Sequence, residues 1–229
     1  MYIITTKDGS HSLFTEQFQE IYHSTNGAIQ ESTHVFIQAG LEYALQQFQP
    51  FSSENLLKIF EVGFGTGLNA LLTIIESQKR NVPVYYETIE KYPVATEVAV
   101  QLNYSSLLGF EKHNEVFNTL HTLSWNTFHP INPLFSFKKN AADFTAFKLP
   151  AAQFHIIYFD AFAPENQPEM WTLEAMKNLY NALLPNGCLV SYSSKSVFRK
   201  TLMAAGFKVE KLPGPYGKRE MVRAIKAIA

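Results

Sequence analysis

A short glycine-rich segment constrains this chain more than any other feature of its sequence. Residues 56–62 form a mostly apolar run interrupted by Lys58 and Glu61, and the run ends directly in Gly63-Phe64-Gly65-Thr66-Gly67. Residues 68–76 then read as a helix. Glycines let a backbone approach a ligand closely, and ligands of open parallel sheets bind at the carboxyl ends of strands. The segment therefore predicts either a nucleoside-binding turn or a tight packing turn between a strand and a helix.

The rest of the sequence alternates between short apolar runs and helical segments, which is typical of an α/β fold. Further helices are expected at residues 94–107, 169–184 and 197–205. Strands are expected at residues 56–62, 84–89, 134–137, 154–159, 189–192, 207–212 and 221–225. This alternation predicts a mostly parallel, seven-stranded sheet with helices on both faces. The last two runs, joined by residues 213–217, predict an antiparallel hairpin at the end of that sheet.

The first fifty residues differ in character from the remainder. Short β segments are expected at residues 2–6 and 13–15, a tight turn at residues 24–27, and a helix at residues 35–48. We therefore expect a small β extension with an entry helix over residues 1–50. Residues 51–229 are expected to form the α/β domain, and the two parts one compact unit.

An acidic residue supports a cofactor at the glycine turn. Glu90 ends the second expected strand, 23 residues beyond Gly67, and an acid there can accept hydrogen bonds from both ribose hydroxyls. The spacing G-x-G-x-G departs from the dinucleotide fingerprint G-x-G-x-x-G. Glu61 would repel a pyrophosphate but suits the ammonium group of a methionine moiety. The pattern favours S-adenosylmethionine over NAD.

Two further carboxylates follow expected strands. Asp143 is placed to accept from an adenine amino group, although it also suits a helix cap. Asp160 ends the fourth expected strand, beside a loop with two prolines and Trp171 that suits a rigid substrate pocket. Trp171 fits either the core or the pocket wall. The predicted cofactor-binding residues are Glu61, Gly63, Phe64, Gly65, Gly67, Asn69, Glu90 and Asp143.

Composition excludes several classes of protein. Hydrophobic residues make up 46% of the 229 residues and aromatic residues 14%, so the chain is not disordered. The single cysteine, Cys188, excludes a disulfide framework and a multi-cysteine zinc site. The seven histidines show no metal-ligand spacing, and we expect no metal. The first residues do not resemble a signal peptide and the apolar runs are short, so we expect a cytoplasmic protein without a membrane span.

The net charge of -1 conceals an uneven distribution. Residues 195–229 hold nine basic residues and two acidic ones, so the rest of the chain is strongly acidic. Local charge rather than net charge governs association with phosphates. The basic segment therefore predicts a nucleic-acid contact, although a solvated helix and edge strand would show the same composition.

Several motifs together resemble those of the methyltransferase module of the MnmC/MnmD family. The resemblance covers almost the whole chain, and this combination of motifs is specific. It is carried by Gly63–Asn69, by Asp160-Ala161-Phe162-Ala163-Pro164 with Pro168–Trp171, by Gly217–Met221, and by Tyr22–Ser24, Gly27, Glu31-Ser32 and Val35-Phe36.

The resemblance implies a Rossmann-like class I S-adenosylmethionine-dependent methyltransferase that acts on the wobble uridine of tRNA. Such enzymes convert a 5-aminomethyl-(2-thio)uridine to its 5-methylaminomethyl form. Asp160 is the expected catalytic residue, which orients the amine and accepts its proton directly or through water. The expected substrate-binding residues are Phe162, Pro164, Trp171, Tyr216, Lys218, Arg219 and Glu220; the aromatic members stack on a splayed base and the basic ones contact phosphate.

The chain departs from the family pattern in three places. No second glycine-rich turn follows the first, so we expect no flavin oxidoreductase domain, and a separate enzyme would supply the aminomethyl precursor. Ala142-Asp143 replaces the Gly-Asp of many members, and residues 165–167 lack a lysine of two-domain members. The Ala142-Asp143 departure concerns the contact between Asp143 and adenine. The missing lysine concerns how the substrate base is bound.

Other functions remain open on the sequence alone. A methyltransferase acting on another RNA or on a small amine would share every motif named above. A nicotinamide-dependent oxidoreductase would share Glu90 but not the glycine spacing. An aminopropyl transferase would show an acidic substrate groove, and a non-catalytic RNA-binding module would not need Asp160, Glu90 and the glycine turn together.

Overall fold

The computed structural model describes residues 1–109 and 113–228. Its first strands, β1 (Tyr2–Thr5), β2 (His11–Thr15) and β3 (Glu20–Ile21), form a small antiparallel sheet in the order β1-β2-β3. The expected turn lies at residues 24–27, where the Gly27 N–H donates to the Ser24 carbonyl at 3.1 Å. The turn leads into a helix rather than another strand.

That helical segment begins earlier than the sequence predicts. It comprises α1 (Ala28–Ser32), a stretch of wider π-helical turns (Thr33–Leu41) and α2 (Glu42–Phe48). The N–H groups of Ala28 and Ile29 both approach the Ser10 hydroxyl, at 3.1 and 3.4 Å. The Ser10 side chain thus accepts from N–H groups at the start of the helix. Because Ser10 is distant in sequence, no local pattern predicts this start.

Eight strands, not seven, form the central sheet. In chain order its strands and the helices between them are β4 (Leu57–Val62), α3 (Leu68–Arg80), β5 (Val84–Glu90), α4 (Thr96–Ala99), α5 (Tyr104–Leu107), α6 (His113–Thr122), β6 (Phe128–Asn132), β7 (Phe135–Ala141), β8 (Phe154–Phe159), α7 (Leu173–Ala182), β9 (Leu183–Ser191), α8 (Ser196–Ala204), β10 (Lys208–Pro213) and β11 (Glu220–Ile225). Their spatial order is β10-β11-β9-β8-β4-β5-β7-β6.

The sheet is parallel in its centre and antiparallel at both ends. Strands β9, β8, β4, β5 and β7 run parallel, while β6, β11 and β10 pair antiparallel with their neighbours. The predicted closing hairpin is confirmed as β10–β11. Strand β6 escaped prediction because it is an edge strand containing Pro130, and proline is tolerated only where no ladder hydrogen bond is needed.

Two helix predictions were wrong in their extent. Residues 94–107 form α4 and α5 rather than one helix, and Asn103 lies at the break, where its side chain bonds His11 N–H and the Gly9 carbonyl at 2.8 and 2.9 Å. Helix α7 starts at Leu173 because Thr172 caps it, and β9 begins at once after α7. None of the described helices is long and apolar enough to cross a membrane.

Two apolar layers cover the two faces of the sheet. One contains Ile59 of β4 and packs against α3 and the helical segment at residues 28–48. The other contains Phe60 and Val62 of β4, together with Trp171 and Phe198. Because side chains alternate along a strand, Glu61 lies on the same face as Ile59. That alternation decides which residues at the end of β4 can reach a ligand.

Candidate active site

A deep pocket opens at the carboxyl ends of β4, β5 and β8, beside the glycine turn. The small amino-terminal sheet closes its other side. Of the residues predicted from the sequence, the pocket brings together Gly63, Phe64, Gly65, Asn69, Glu90, Asp143, Asp160, Phe162 and Lys218. It is therefore the place in the fold where the predicted cofactor, catalytic and substrate residues meet.

Two glycines in the turn have conformations and neighbours that other residues would not tolerate. Gly63 has φ +90°, and a Cβ there would lie 2.6 Å from the carbonyl oxygen of Asp160. Gly65 has φ +49°, and a Cβ would lie 3.0 Å from the ring of Tyr22. The turn is left-handed and lets the ends of β4 and β8 approach closely.

Glu90 is held at the end of β5 by backbone donors. Its two carboxyl oxygens accept from Tyr92 N–H at 2.8 Å and from Gly65 N–H at 3.1 Å. Burial raises the pKa of Glu90, and these backbone donors oppose the rise. Each oxygen keeps a free lone pair for a ligand hydroxyl.

Asp143 lines the pocket but already performs the capping role that its sequence position also suggested. It accepts from Thr145 N–H at 2.9 Å at the start of a single 3-10 turn, and from Lys91 Nζ at 2.7 Å. The Lys91 ammonium, helped by Thr145, lowers the pKa of Asp143 to about 2. A contact with adenine would be additional to these bonds and stays a prediction.

Asp160 follows β8 and faces the pocket. Its Oδ2 accepts a hydrogen bond from Asn69 Nδ2 at 2.9 Å. Burial raises the pKa of Asp160 to about 7, with opposition from the Asn69 donor and a smaller effect of the Lys218 charge. The carboxyl group can therefore exchange a proton near neutral pH.

Two predicted cofactor residues lie outside the pocket. Glu61 is fully buried on the face of β4 that packs against α3 and is not part of the pocket lining, so its contact with a ligand ammonium stays a prediction. Gly67 is the N-cap residue just before α3 and lies close to His121 instead.

Trp171 and Pro164 also lie outside the pocket lining. The Trp171 ring packs against Phe159 and Phe198 in the core, and its Nε1–H donates to the Phe162 carbonyl at 2.9 Å. The predicted stacking of Trp171 on a base does not fit this placement, since the ring is only 7% exposed. Instead, Trp171 fixes the backbone that carries Phe162.

The late basic motif is divided between the pocket and the surface. Lys218 reaches the pocket, pairs with Glu31 and lies over the Tyr192 ring at 4.2 Å, so it differs from the free phosphate donor predicted for it. Tyr216 and Arg219 are exposed outside the pocket. Glu220 accepts from Lys211 at 2.7 Å and forms no hydrogen bond with Arg219.

Sequence reasoning missed the residues that cover the pocket from the small sheet. Phe18 packs against Phe162 and Tyr92, with ring centroids 4.9 and 5.4 Å apart, and Tyr22 packs against Phe162 at 4.9 Å. Glu20 accepts from Ala163 N–H at 3.2 Å. Tyr22 belongs to a motif that carried the family resemblance, which was the available signal.

Comparison with known proteins finds relatives of the chain. Residues 140–227 match the family described as S-adenosyl-L-methionine-dependent methyltransferase. The tRNA 5-methylaminomethyl-2-thiouridine biosynthesis bifunctional protein MnmC of Leptospira interrogans is 31% identical over 215 residues, which are 91% of this chain and 33% of that protein. The protein of the same name from Nitrosospira multiformis is 26% identical over 216 residues, covering 92% of this chain and 35% of its own length.

Solved structures give the same result. MnmC2 of Aquifex aeolicus aligns with a TM-score of 0.79 and 26% identity, over 97% of this chain and 68% of that one. Spermidine synthase of Thermotoga maritima aligns with a TM-score of 0.53 and 12% identity over 100% of this chain and 73% of that one, which shows a shared fold alone.

The chain spans about a third of the length of the curated relatives named above. The matches favour the methyltransferase interpretation over the nicotinamide-dependent oxidoreductase. The sheet order and the glycine turn are those of a Rossmann-like class I S-adenosylmethionine-dependent methyltransferase. The chain is therefore similar to the MnmC proteins over about nine tenths of its own length.

Proposed function

We propose that this chain transfers a methyl group from S-adenosylmethionine to the amine of a 5-aminomethyl-(2-thio)uridine at the wobble position of tRNA. The observation that carries the proposal is the Asp160 carboxyl, which Asn69 holds beside the glycine turn in a pocket that also contains Phe162. A carboxylate there suits an amine substrate, because attack on the methyl group makes the nitrogen cationic. Since the proposed substrate is tRNA, we also assign the activity to the cytoplasm.

The pocket fits the proposed cofactor. Gly63, Phe64 and Gly65 line the pocket with backbone that can approach a ligand closely, and Glu90 presents carboxyl oxygens at the end of β5, where a ribose binds in related folds. Asp143 and Phe144 line the far side of the pocket. Among the residues predicted for the cofactor, Gly63, Phe64, Gly65, Asn69, Glu90 and Asp143 remain in this proposal.

The cofactor would supply an electrophilic methyl group on a sulfonium. The residues of the chain orient the amine and provide a negative charge beside the nitrogen that becomes positive. The nitrogen lone pair forms the new C–N bond while the S–C bond breaks, and the extra proton leaves the nitrogen for Asp160 or water. Asp160 orients the neutral amine and stabilises the developing cation. Alignment alone can contribute ~7–11 kcal/mol to such a reaction.

Phe162 is the aromatic surface that we assign to the substrate base. Its ring lies in the pocket, its N–H donates to Gln167 at 3.1 Å, and its carbonyl accepts from Trp171. A wobble base must leave its loop to reach Asp160, and such bases are held by stacking. Phe162 is thus fixed on both sides of its backbone at the place where a base would enter.

The basic carboxyl-terminal segment supports an RNA partner, but only some of its charges are free. Lys195, Lys211 and Arg223 are paired with Glu165, Glu220 and Glu210, respectively. Among the described residues, Lys200 and Arg219 are exposed and form no salt bridge, although the charge of Arg219 acts, after that of Lys211, to lower the pKa of Glu220. We assign the phosphate contacts to Lys200 and Arg219.

The decisive experiment incubates the protein with methyl-labelled S-adenosylmethionine and tRNA that lacks the terminal wobble methyl group. Nucleoside mass spectrometry should show a gain of one methyl group on 5-aminomethyl-(2-thio)uridine. The control is tRNA that already carries the 5-methylaminomethyl group and should not be labelled. Label on another nucleoside, or on free small amines only, would contradict the proposed substrate.

A further inference from the structure

An ion pair in the pocket has no part in the reaction described above. Glu31 of α1 and Lys218 of the turn before β11 both line the pocket, and Lys218 Nζ donates to Glu31 Oε1 at 2.5 Å. Glu31 Oε2 accepts from Ser24 N–H at 2.7 Å. Glu31 is 7% exposed, whereas the Lys218 side chain is 33% exposed. The carboxylate is thus bound within the protein through both oxygens, and the ammonium is the member of the pair that a ligand can reach.

Aromatic packing connects the Lys218 ammonium to the loop that carries Asp160. Lys218 Nζ lies 4.2 Å from the centroid of the Tyr192 ring, a distance typical of a cation–π contact. The Tyr192 hydroxyl donates to the Ala161 carbonyl at 3.0 Å, and Ala161 follows Asp160 directly in the chain. Glu31 and Tyr192 therefore hold the ammonium in a fixed position relative to this loop.

The backbone at Lys218 is fixed as well. Its N–H donates to the Pro215 carbonyl at 2.8 Å. Gly217 has φ +87°, and a Cβ there would clash with the side chain of Asn26, whose Nδ2 donates to the Tyr216 carbonyl at 3.4 Å. The turn before β11 thus packs against the turn at residues 24–27 of the amino-terminal part. Lys218 belongs to a built site rather than to a free surface segment.

The Lys218 ammonium has hydrogen-bond donors that the protein does not use. An ammonium group carries three N–H donors and no acceptor. Within residues 1–109 and 113–228, the one acceptor that bonds Lys218 Nζ is Glu31, and the contact with the Tyr192 ring is made to its π face. Donors of this ammonium are therefore available to an acceptor on a ligand that enters the pocket.

The Glu31 carboxylate decides which kind of acceptor suits these donors. A phosphate or a ligand carboxylate bound to Lys218 would bring a second anion next to Glu31, and like charges repel. A neutral carbonyl oxygen accepts from the ammonium without that repulsion. After burial, which has the largest effect, the charges of Glu31 and Lys218 shift the pKa of Asp160 in opposite directions. The pair therefore places a donor near Asp160 without strongly opposing a positive charge on a bound amine.

We propose that Lys218 donates a hydrogen bond to the O4 carbonyl of the substrate base and so restricts the site to uracil. This inference rests on the proposed function, in which Asp160 contacts the amine attached to C5. In uracil C4 is bonded to C5, so O4 and the aminomethyl nitrogen lie on the same edge of the ring. Cytosine carries an amino donor in place of O4, and that donor would face the donors of Lys218. Asp160 and Lys218 thus contact neighbouring groups of one base.

Methyl transfer to two matched anticodon stem-loops tests this role. One carries 5-aminomethyluridine at the wobble position and the other 5-aminomethylcytidine, so the two bases differ in the group on C4 and in the proton on N3. The native protein should prefer the uridine loop in kcat/KM by about 10- to 150-fold, the effect of one hydrogen bond to a charged group. Lys218→Met should lose this preference through a lower kcat/KM for the uridine loop. An undiminished preference in Lys218→Met would overturn the proposal.

The matched control is Lys211→Met, which removes an ion-paired lysine outside the pocket, where Lys211 Nζ lies 2.7 Å from Glu220. Lys211→Met should keep the native preference for uridine. Two further measurements test whether Lys218 binds an anion instead. Lys218→Met should leave the affinity for S-adenosylhomocysteine and the salt dependence of tRNA binding nearly unchanged, because no contact to a cofactor carboxylate or to a phosphate is lost. Weaker cofactor binding or a smaller salt slope would overturn the proposal.

The outcomes separate this inference from the proposed function. If the native protein methylates both loops with equal kcat/KM, the reaction stands and the role of Lys218 is wrong. If it methylates neither, the proposed function is wrong, and fluorescence anisotropy of the two loops with S-adenosylhomocysteine present still tests the uracil preference, which equal binding contradicts. If Lys218→Met does not fold, Lys218→Gln replaces it. A glutamine amide both donates and accepts, so Lys218→Gln should methylate the two loops almost equally, and a preference as large as that of the native protein contradicts the proposal.

Discussion

At the scale of single residues, Asp160 combines a fixed position with a pKa near neutrality. Asn69 holds one oxygen and burial raises the pKa to about 7, so the ionised form that stabilises a cation and the form that has taken up a proton are both accessible. An amide of the same shape keeps the bond geometry but loses the charge and the proton acceptor.

We therefore expect Asp160→Asn to lower kcat by about 10²–10⁴-fold, the range of general acid–base catalysis. Affinity for S-adenosylhomocysteine, measured by calorimetry, should change far less. The matched control is Asp143→Asn, which removes another carboxylate of the same pocket and should affect cofactor affinity more than kcat. Unchanged turnover of Asp160→Asn with full cofactor binding would contradict the role of Asp160.

Gly63 gives a second prediction at this scale. Gly63→Ala combines a left-handed backbone with a Cβ 2.6 Å from the Asp160 carbonyl oxygen, so the ends of β4 and β8 must separate. We expect a loss of more than ~1–3 kcal/mol in the free energy of unfolding, the usual cost of backbone strain alone. Denaturant titration measures it.

The matched control for Gly63→Ala is Gly9→Ala. Gly9 also has a left-handed backbone, φ +83°, but no heavy atom lies within 4 Å of its would-be Cβ. Gly9→Ala should therefore show the strain without the clash. Equal losses in the two variants would mean that the approach of β4 to β8 is not tightly packed at Gly63.

The sequence predicted those site residues that have suitable side-chain chemistry and also follow the end of a recognisable strand. The left-handed glycines, Glu90 and Asp160 follow strands of a recognisable pattern, so their edge of the sheet was predictable. The sequence left Trp171 open between the core and the pocket wall, and it did not reveal the burial of Glu61, because side-chain burial depends on packing between distant segments.

At the scale of elements, the same distinction holds. The central strands were predicted from their apolar runs, and the β10–β11 hairpin from the turn residues between its two strands. Strand β6, the break between α4 and α5, and the start of the helical segment at Ala28 were missed. Each depends on contacts that are distant in sequence, such as Asn103 with Gly9 and His11, which a local pattern does not contain.

The amino-terminal sheet contributes one wall of the pocket through the segment after β2. Phe18 in this segment packs on Phe162 and Tyr92, and aromatic pairs contribute ~0.5–1.5 kcal/mol each. We expect Phe18→Ala to weaken binding of S-adenosylhomocysteine roughly tenfold, as measured by calorimetry. The segment would thus serve binding more than folding.

The matched control for Phe18→Ala is Phe14→Ala in the same small sheet. Phe14 stacks on Tyr2 with ring centroids 5.1 Å apart and does not line the pocket. Phe14→Ala should reduce stability without a specific loss of ligand affinity. Equal affinity losses in the two variants would indicate a general loosening of the sheet and contradict a direct role of Phe18.

At the scale of the whole molecule, charge is distributed by ion pairing as well as by sequence. The carboxyl-terminal segment is strongly basic, yet Lys195, Lys211 and Lys218 are matched with Glu165, Glu220 and Glu31. A paired cation gains little from a phosphate, because it must first give up its carboxylate. Lys200 and Arg219 therefore provide the charges that are free to release counterions from RNA.

Two double variants with the same change in net charge separate these classes. Lys200→Ala with Arg219→Ala should weaken tRNA binding and reduce the slope of log K against log salt by about 1.4, or roughly 0.7 for each lost contact to a single strand. Lys195→Ala with Lys211→Ala should change the slope much less. Exposed cations release counterions only where they meet phosphate. Equal slopes for the two double variants would therefore mean that net charge, rather than contacts made by Lys200 and Arg219, governs tRNA binding.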